Sequence, residues 1–134
     1  MDFRARYRLL VAAFALATPS ALAAQTDSTP AEATAKAVAD GKKLFEGAGL
    51  CLACHGVDAK GGIGPNLTDD QWLSGTGSFA EIVARIRRGV GVADSKSGQI
   101  MPPMGGASLS ESQVKAVAAY VWTLSHRRSA PKPG

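Results

Sequence analysis

Three stretches of the chain repeat apolar residues at helical spacing, and none alternates apolar with polar residues over the length of a strand. The first sets Gly41, Leu44, Phe45 and Ala48 on one side and Lys42, Lys43 and Glu46 on the other, the stripe of a helix that buries one face. Ahead of it, Thr29-Pro30-Ala31-Glu32 has the form of a capping box with proline at the first helical position, and the alanine-rich run to Ala39 has strong helix propensity. Gly41 is costly inside a helix, which predicts that another backbone passes close by. The second stripe, Phe79, Ile82, Val83 and Ile86, follows the capping box Ser78-Phe79-Ala80-Glu81 and should stop near Gly89. The third, Val114, Val117, Ala118, Val121 and Leu124, follows Ser110-Glu111-Ser112-Gln113. Leu109 and Val114 are placed to staple the start of that helix, which should run from about Glu111 to Ser125.

The segments between the stripes are rich in breakers. Gly56, Gly61, Gly62, Gly64 and Pro65 require a loop, and Thr68-Asp69-Asp70-Gln71 could cap a short turn carrying Trp72 and Leu73. Residues Gly91 to Gly98 read as a polar loop. From Ile100 through Met101-Pro102-Pro103-Met104 to Gly106 an extended course is expected, because each proline pushes the residue before it out of the α region. Arg85, Arg87 and Arg88 fall in the last turn of the middle helix, where they complement its dipole and are expected to be solvated. Capped helices joined by glycine-rich loops predict an all-α fold of three or four helices.

The first residues change the compartment. Arg4, Arg6 and Arg8 precede an apolar run from Leu9 to Ala17, and Ala21-Leu22-Ala23 offers small residues for a signal peptidase, the form of a secretory signal peptide over 1–23. The apolar run is far shorter than the ~20 residues of a spanning helix; retention as an uncleaved N-terminal anchor is the alternative. A partly helical leader over 24–39, a domain over 40–126 and a basic flexible tail over 127–134 complete the expected organisation. The net charge of +4 owes much to the signal peptide's arginines, so a nucleic-acid partner is not indicated.

The chemistry lies in Cys51-Leu52-Ala53-Cys54-His55. Positions i, i+3 and i+4 share a helical face, so two thiols can reach the vinyl groups of a porphyrin while the imidazole turns to its iron, the attachment pattern of a c-type haem. The chain has only these two cysteines, which removes a structural zinc site and any other disulfide partner, and no βαβ pattern supports a thioredoxin-like role. Aromatic residues make up only 6% of the chain; a bound macrocycle would supply apolar core, and the protein without it should fold poorly.

In this order, Gly41 and Phe45, Cys51-x-x-Cys54-His55, Gly64-Pro65-Asn66-Leu67, Met101-Pro102, and Val117 with Tyr120 resemble the class I cytochromes c over roughly Asp40 to Ser125. The stretch Asn66 to Leu73 and the ending Ala119 to Ser125 are most similar to the small cytochrome domains of bacterial high-affinity terminal oxidases. The resemblance implies a small cytochrome c fold wrapped around one covalently attached haem c. It implies that the Pro65 carbonyl accepts the His55 Nδ1 proton, leaving Nε2 for iron, and that Gly41 and Phe45 cross the last helix at Val117 and Tyr120. It also implies a methionine as second axial ligand: Met101, which directly precedes proline, is favoured, with Met104 the alternative and otherwise pocket packing. Trp72 is a candidate donor to a haem propionate or else a rim aromatic, and His126 is expected to be solvated.

A haem bound by His and Met has no open coordination site and passes single electrons. The expectation is therefore a periplasmic monohaem electron carrier working between redox partner proteins, rather than an enzyme. The alternative is a haem c subunit held in a periplasmic dehydrogenase or terminal oxidase complex. Contact with a membrane is expected only through such a complex or an uncleaved signal anchor.

Overall fold

The computed structural model describes residues 29–126; the signal peptide, the start of the leader and the basic tail read from the sequence lie outside the described residues. Among the described residues four α-helices carry the fold: α1 (Ala35–Glu46), α2 (Cys51–His55), α3 (Phe79–Arg88) and α4 (Glu111–Ser125), with short 3-10 turns at Val57–Ala59, Val92–Asp94 and Pro103–Gly106. Among the described residues, pairing between extended segments is limited to one isolated antiparallel bridge, Val90 with Met101. No described helix is long and apolar enough to cross a membrane.

The first helix starts later than its sequence suggests. Pro30 closes a turn by accepting the Ala33 amide at 2.9 Å, so the Thr29 box caps nothing. Thr34 is the N-cap, its hydroxyl accepting from the Ala37 amide at 3.2 Å. From there α1 runs unbroken through Asp40 and Gly41 and stops at Gly47. Ala48, read as part of the buried stripe, falls beyond that stop and is exposed. Leu50, in the left-handed region at φ 58°, then turns the chain into α2.

The other two boxes hold. Ser78 and Glu81 exchange side-chain and backbone bonds at the start of α3, and Ser110 and Gln113 do the same for α4. Gly89 ends α3 at φ 71°, and Leu109 packs partly buried against the core cluster that contains Val114. An ion pair from Arg87 to Glu111 ties the end of α3 to the start of α4.

The core is built where α1 crosses α4. A Cβ placed on Gly41 would stand 1.9 Å from the Ala116 carbonyl oxygen and 3.0 Å from the Tyr120 Cβ, so the two backbones touch and only glycine fits. One turn on, Phe45 meets Tyr120 edge-on with ring centroids 5.4 Å apart, and Phe45 and Val117 are each 1% exposed. The expected crossing is therefore present, with Ala116 rather than Val117 closest to Gly41.

Two loop readings need correction. The short turn expected at Thr68 to Gln71 is held from Asn66 and Asp69 rather than from Thr68: Asn66 accepts from the Thr68 amide at 2.9 Å and Asp69 from the Gln71 amide at 3.1 Å. The Met-Pro segment is extended only as far as Pro102. Pro103–Gly106 then coils tightly, with Met104 and Gly105 at φ 53° and 70°, because glycine at 105 and 106 permits what the prolines alone would not. His126, expected in solvent, is half-buried and stacks on Trp122 with centroids 4.5 Å apart.

Candidate functional site: an apolar cleft around Cys51, Cys54 and His55

The single turn of α2 puts Cys51, Cys54 and His55 on one face, and all three line the same open cleft. Its space, open mouth included, is about 1230 Å³. Phe45 of α1, Ile82 and Ile86 of α3, and Val117 and Val121 of α4 supply an apolar wall. Cys51 is nearly buried and its thiol donates to the Gly49 carbonyl at 3.3 Å. Burial pushes that thiol's pKa up, because a thiolate there would lose its hydration. Cys54 is half-buried.

The glycine-rich loop after α2 fixes the imidazole. The Gly61 amide donates to the His55 carbonyl and the Gly64 amide to the Cys54 carbonyl, each at 2.8 Å, which satisfies the end of α2 and folds the loop back beneath it. That return places the Pro65 carbonyl 2.9 Å from His55 Nδ1. A carbonyl only accepts, so Nδ1 carries the proton and Nε2 is left as the basic nitrogen. A Cβ on Gly64 would lie 3.1 Å from both Cε1 and Nδ1 of the ring, so glycine lets the loop lie flat against it.

Met101 also lines the cleft, and Met104 does not. The backbone of Met101 is held on both sides by the bridge to Val90, with N–O distances of 2.7 and 3.0 Å. Gly89 presses against the same segment: its Cβ would fall 2.2 Å from the Met101 carbonyl oxygen. Met104 instead packs half-buried against the core. Trp72 lines the cleft with its indole laid across Gly77, whose Cβ would come within 2.0 Å of Nε1.

Two thiols, a proton-fixed imidazole and a thioether, gathered on one apolar cleft, are the donors that a covalently attached iron porphyrin requires, and the residues fit that group. The sequence pattern of cytochrome c oxidase, cbb3-type, subunit III matches residues 36–121. The chain belongs to this family. A relative of this cytochrome domain, the cbb3-type cytochrome c oxidase subunit CcoP of Rubrivivax gelatinosus, is 46% identical over 102 residues, which cover 73% of the chain and 30% of that subunit. The subunit FixP of Rhizobium etli is 44% identical over 97 residues, 69% of the chain and 32% of FixP. The chain thus spans about a third of the length of these curated relatives. Among solved structures, cytochrome cL of Methylophaga aminisulfidivorans superposes with a TM-score of 0.52 at 25% identity, covering 70% of the chain and 57% of that protein. The chain is a class I c-type cytochrome with the small all-α cytochrome c fold, similar to the cytochrome domains of oxidases.

The cytochrome cleft also gathers residues that the sequence reading left elsewhere. Arg85, expected in solvent with Arg87 and Arg88, is half-buried and lines the cleft. Its position between Ile82 and Ile86 on the apolar stripe was the available signal. The loop from Gly91 to Gln99 adds Ser95, Lys96, Ser97 and Gln99 to the lining; nothing in its polar sequence distinguishes it from a solvated connection.

Proposed function

We propose that this chain is an exported electron-transfer module of a cbb3-type terminal oxidase, carrying one haem c. The thiols of Cys51 and Cys54 would attach the porphyrin, and His55 Nε2 and Met101 Sδ would hold its iron. When bound, the haem supplies reversible one-electron chemistry. Pro65 keeps the imidazole in the tautomer that presents Nε2, the Val90 bridge and Gly89 hold Met101 in place, and Trp72 flanks a propionate. With His55 and Met101 both holding the iron, the module would relay electrons to redox partner proteins rather than catalyse a reaction itself.

The observation that carries the reading is that Cys51, Cys54, His55 and Met101 line one apolar cleft from which Met104 is absent. The relatives weigh for a haem c subunit of an oxidase over a free periplasmic carrier, because those that match across most of the chain are named as cbb3-type oxidase subunits. Export rests on Arg4, Arg6, Arg8 and the apolar run behind them.

Gentle solubilisation of the native membranes, followed by gel filtration with detection of haem, tests the assignment. Co-elution with a terminal oxidase is expected. Elution of the whole pool from the soluble fraction, at the size of a single chain without its signal peptide, would replace it with the free-carrier reading.

A further inference from the structure

Besides His55, the cleft has three charged side chains in its lining, Arg85, Asp94 and Lys96, and Arg85 stands apart from the other two. Asp94 and Lys96 are exposed on the loop, whereas Arg85 is half-buried in the last turn of α3, flanked by the buried Ile82 and Ile86. Its neighbour Arg87 is paired with Glu111, and Arg88 faces solvent. Among the described residues no carboxylate pairs with the Arg85 guanidinium. A cation drawn partly out of water into an apolar setting is costly unless an anion meets it, so this position is favourable only when the cleft's occupant brings negative charge.

A haem brings it in two carboxylates at one edge of an otherwise apolar disc. The disc belongs against the wall of Phe45, Ile82, Ile86, Val117 and Val121, and the carboxylates belong where the lining is polar. Polar lining residues come from two loops, Asn66, Gln71 and Ser74 before α3 and Ser95, Lys96, Ser97 and Gln99 after it, and of the two only the second carries a cationic side chain, Lys96. The second loop follows Arg88, the end of α3 just beyond Arg85, is pinched at its base by the Val90–Met101 bridge, and contributes Ser95, Lys96, Ser97 and Gln99 to the lining. A guanidinium fork suits a carboxylate better than any other cationic side chain.

We infer that Arg85 is the internal counter-charge of a haem propionate and through that contact raises the protein's reduction potential. The inference rests on the reading of the cleft as a haem c site. Its sign follows from Coulomb's law: a fixed positive charge near the iron disfavours the more positive, oxidised state, and does so more strongly in a partly buried setting than in bulk water. Lys96, on the exposed side, is screened by water and salt and contributes less.

The test uses the haem-loaded protein from a host competent in haem attachment, with midpoint potentials from spectroelectrochemical titration at neutral pH. Arg85→Gln should lower the midpoint, Arg85→Lys should restore most of the fall, Lys96→Gln should produce a smaller fall, and Arg88→Gln should leave the midpoint where it was. An Arg85→Gln protein with intact haem and an unmoved potential would overturn the inference, as would a fall of equal size in Arg88→Gln. Should Arg85→Gln fail to accumulate, resonance Raman spectra of the unmutated protein and Arg85→Lys decide. A shifted propionate bending band supports the contact, and an unchanged band refutes it. Absence of covalent haem from the unmutated protein would sink the functional reading as well, an outcome distinct from a haem protein whose potential ignores Arg85.

Discussion

Gly41→Ala adds one methyl group at the tightest helix contact of the fold. The new carbon would lie 1.9 Å from the Ala116 carbonyl oxygen and 2.5 Å from its carbon, and neither can swing aside, because both are backbone within α4. Reaching an ordinary contact of about 3.4 Å requires α1 and α4 to part by roughly 1.5 Å at this point. The separation loosens Phe45 and Val117, each 1% exposed, and the Phe45–Tyr120 edge contact that backs His55, whose ring lies 6.2 Å from Phe45. Overpacking of this kind costs ~1–3 kcal/mol, occasionally more, and a rigid backbone partner places it at the upper end. Alanine recovers about 1 kcal/mol of helix propensity over glycine, so the net loss should be about 2 kcal/mol. For a domain of this size that is a fall in Tm of ~8–16 °C. Thermal melting of the haem-loaded protein followed by far-ultraviolet circular dichroism measures it. Gly91→Ala serves as the control: nothing lies within 4 Å of its Cβ position, its φ is −76°, and its Tm should hold or rise slightly. An unchanged or raised Tm in Gly41→Ala would refute the close crossing.

Met101→Ala should abolish the near-infrared sulfur-to-iron band of the oxidised protein, lower its potential and admit carbon monoxide to the reduced iron. Met104→Ala should keep the band and cost only packing, ~1–3 kcal/mol for a half-buried site; loss of the band in Met104→Ala alone would transfer the ligand role. Gly89→Ala drives a Cβ to 2.2 Å from the Met101 carbonyl oxygen at a φ of 71°, and should weaken the same band without touching the methionine; a parent-like band would show that Gly89 does not hold Met101. Glu81 accepts bonds from the Thr76 amide, the Thr76 hydroxyl and the Ser78 amide, and these hold its carboxyl below its ordinary value of 4.5. A depressed carboxylate adds stability above its unfolded pKa and loses it as the pH falls through the folded one. Denaturant midpoints should therefore drop less below about pH 4.5 in Glu81→Gln than in the parent, and parallel pH profiles would contradict this.

What was legible in the sequence follows from how local each signal is. The Cys51-to-His55 spacing and the Ser78 and Ser110 boxes are carried by residues within a turn or two of one another, and they survive in the fold; the Gly41 crossing is long-range, and is legible only because glycine is costly inside a helix. The Thr29 box was misleading because Pro30 has a competing local use: its carbonyl closes a turn with the Ala33 amide, and Thr34 takes the cap instead. Asn66 and Asp69 likewise favour their own backbone over a helix start. Arg85 was read from its neighbours' company, three arginines at a helix end, when its register between Ile82 and Ile86 decides its surroundings. The placement of Met101 against Met104 depends on the long-range Val90 bridge, and a proline-rich stretch does not announce such pairing.

The central claim, one haem held by two thioether bonds, is tested most directly by the intact mass of the mature protein purified from a host competent in haem attachment, taken after acid-acetone treatment. The predicted result is the polypeptide plus a single haem, with no thiol left to alkylate at Cys51 or Cys54. A haem that extracts freely, leaving a bare polypeptide with two alkylatable thiols, would contradict it.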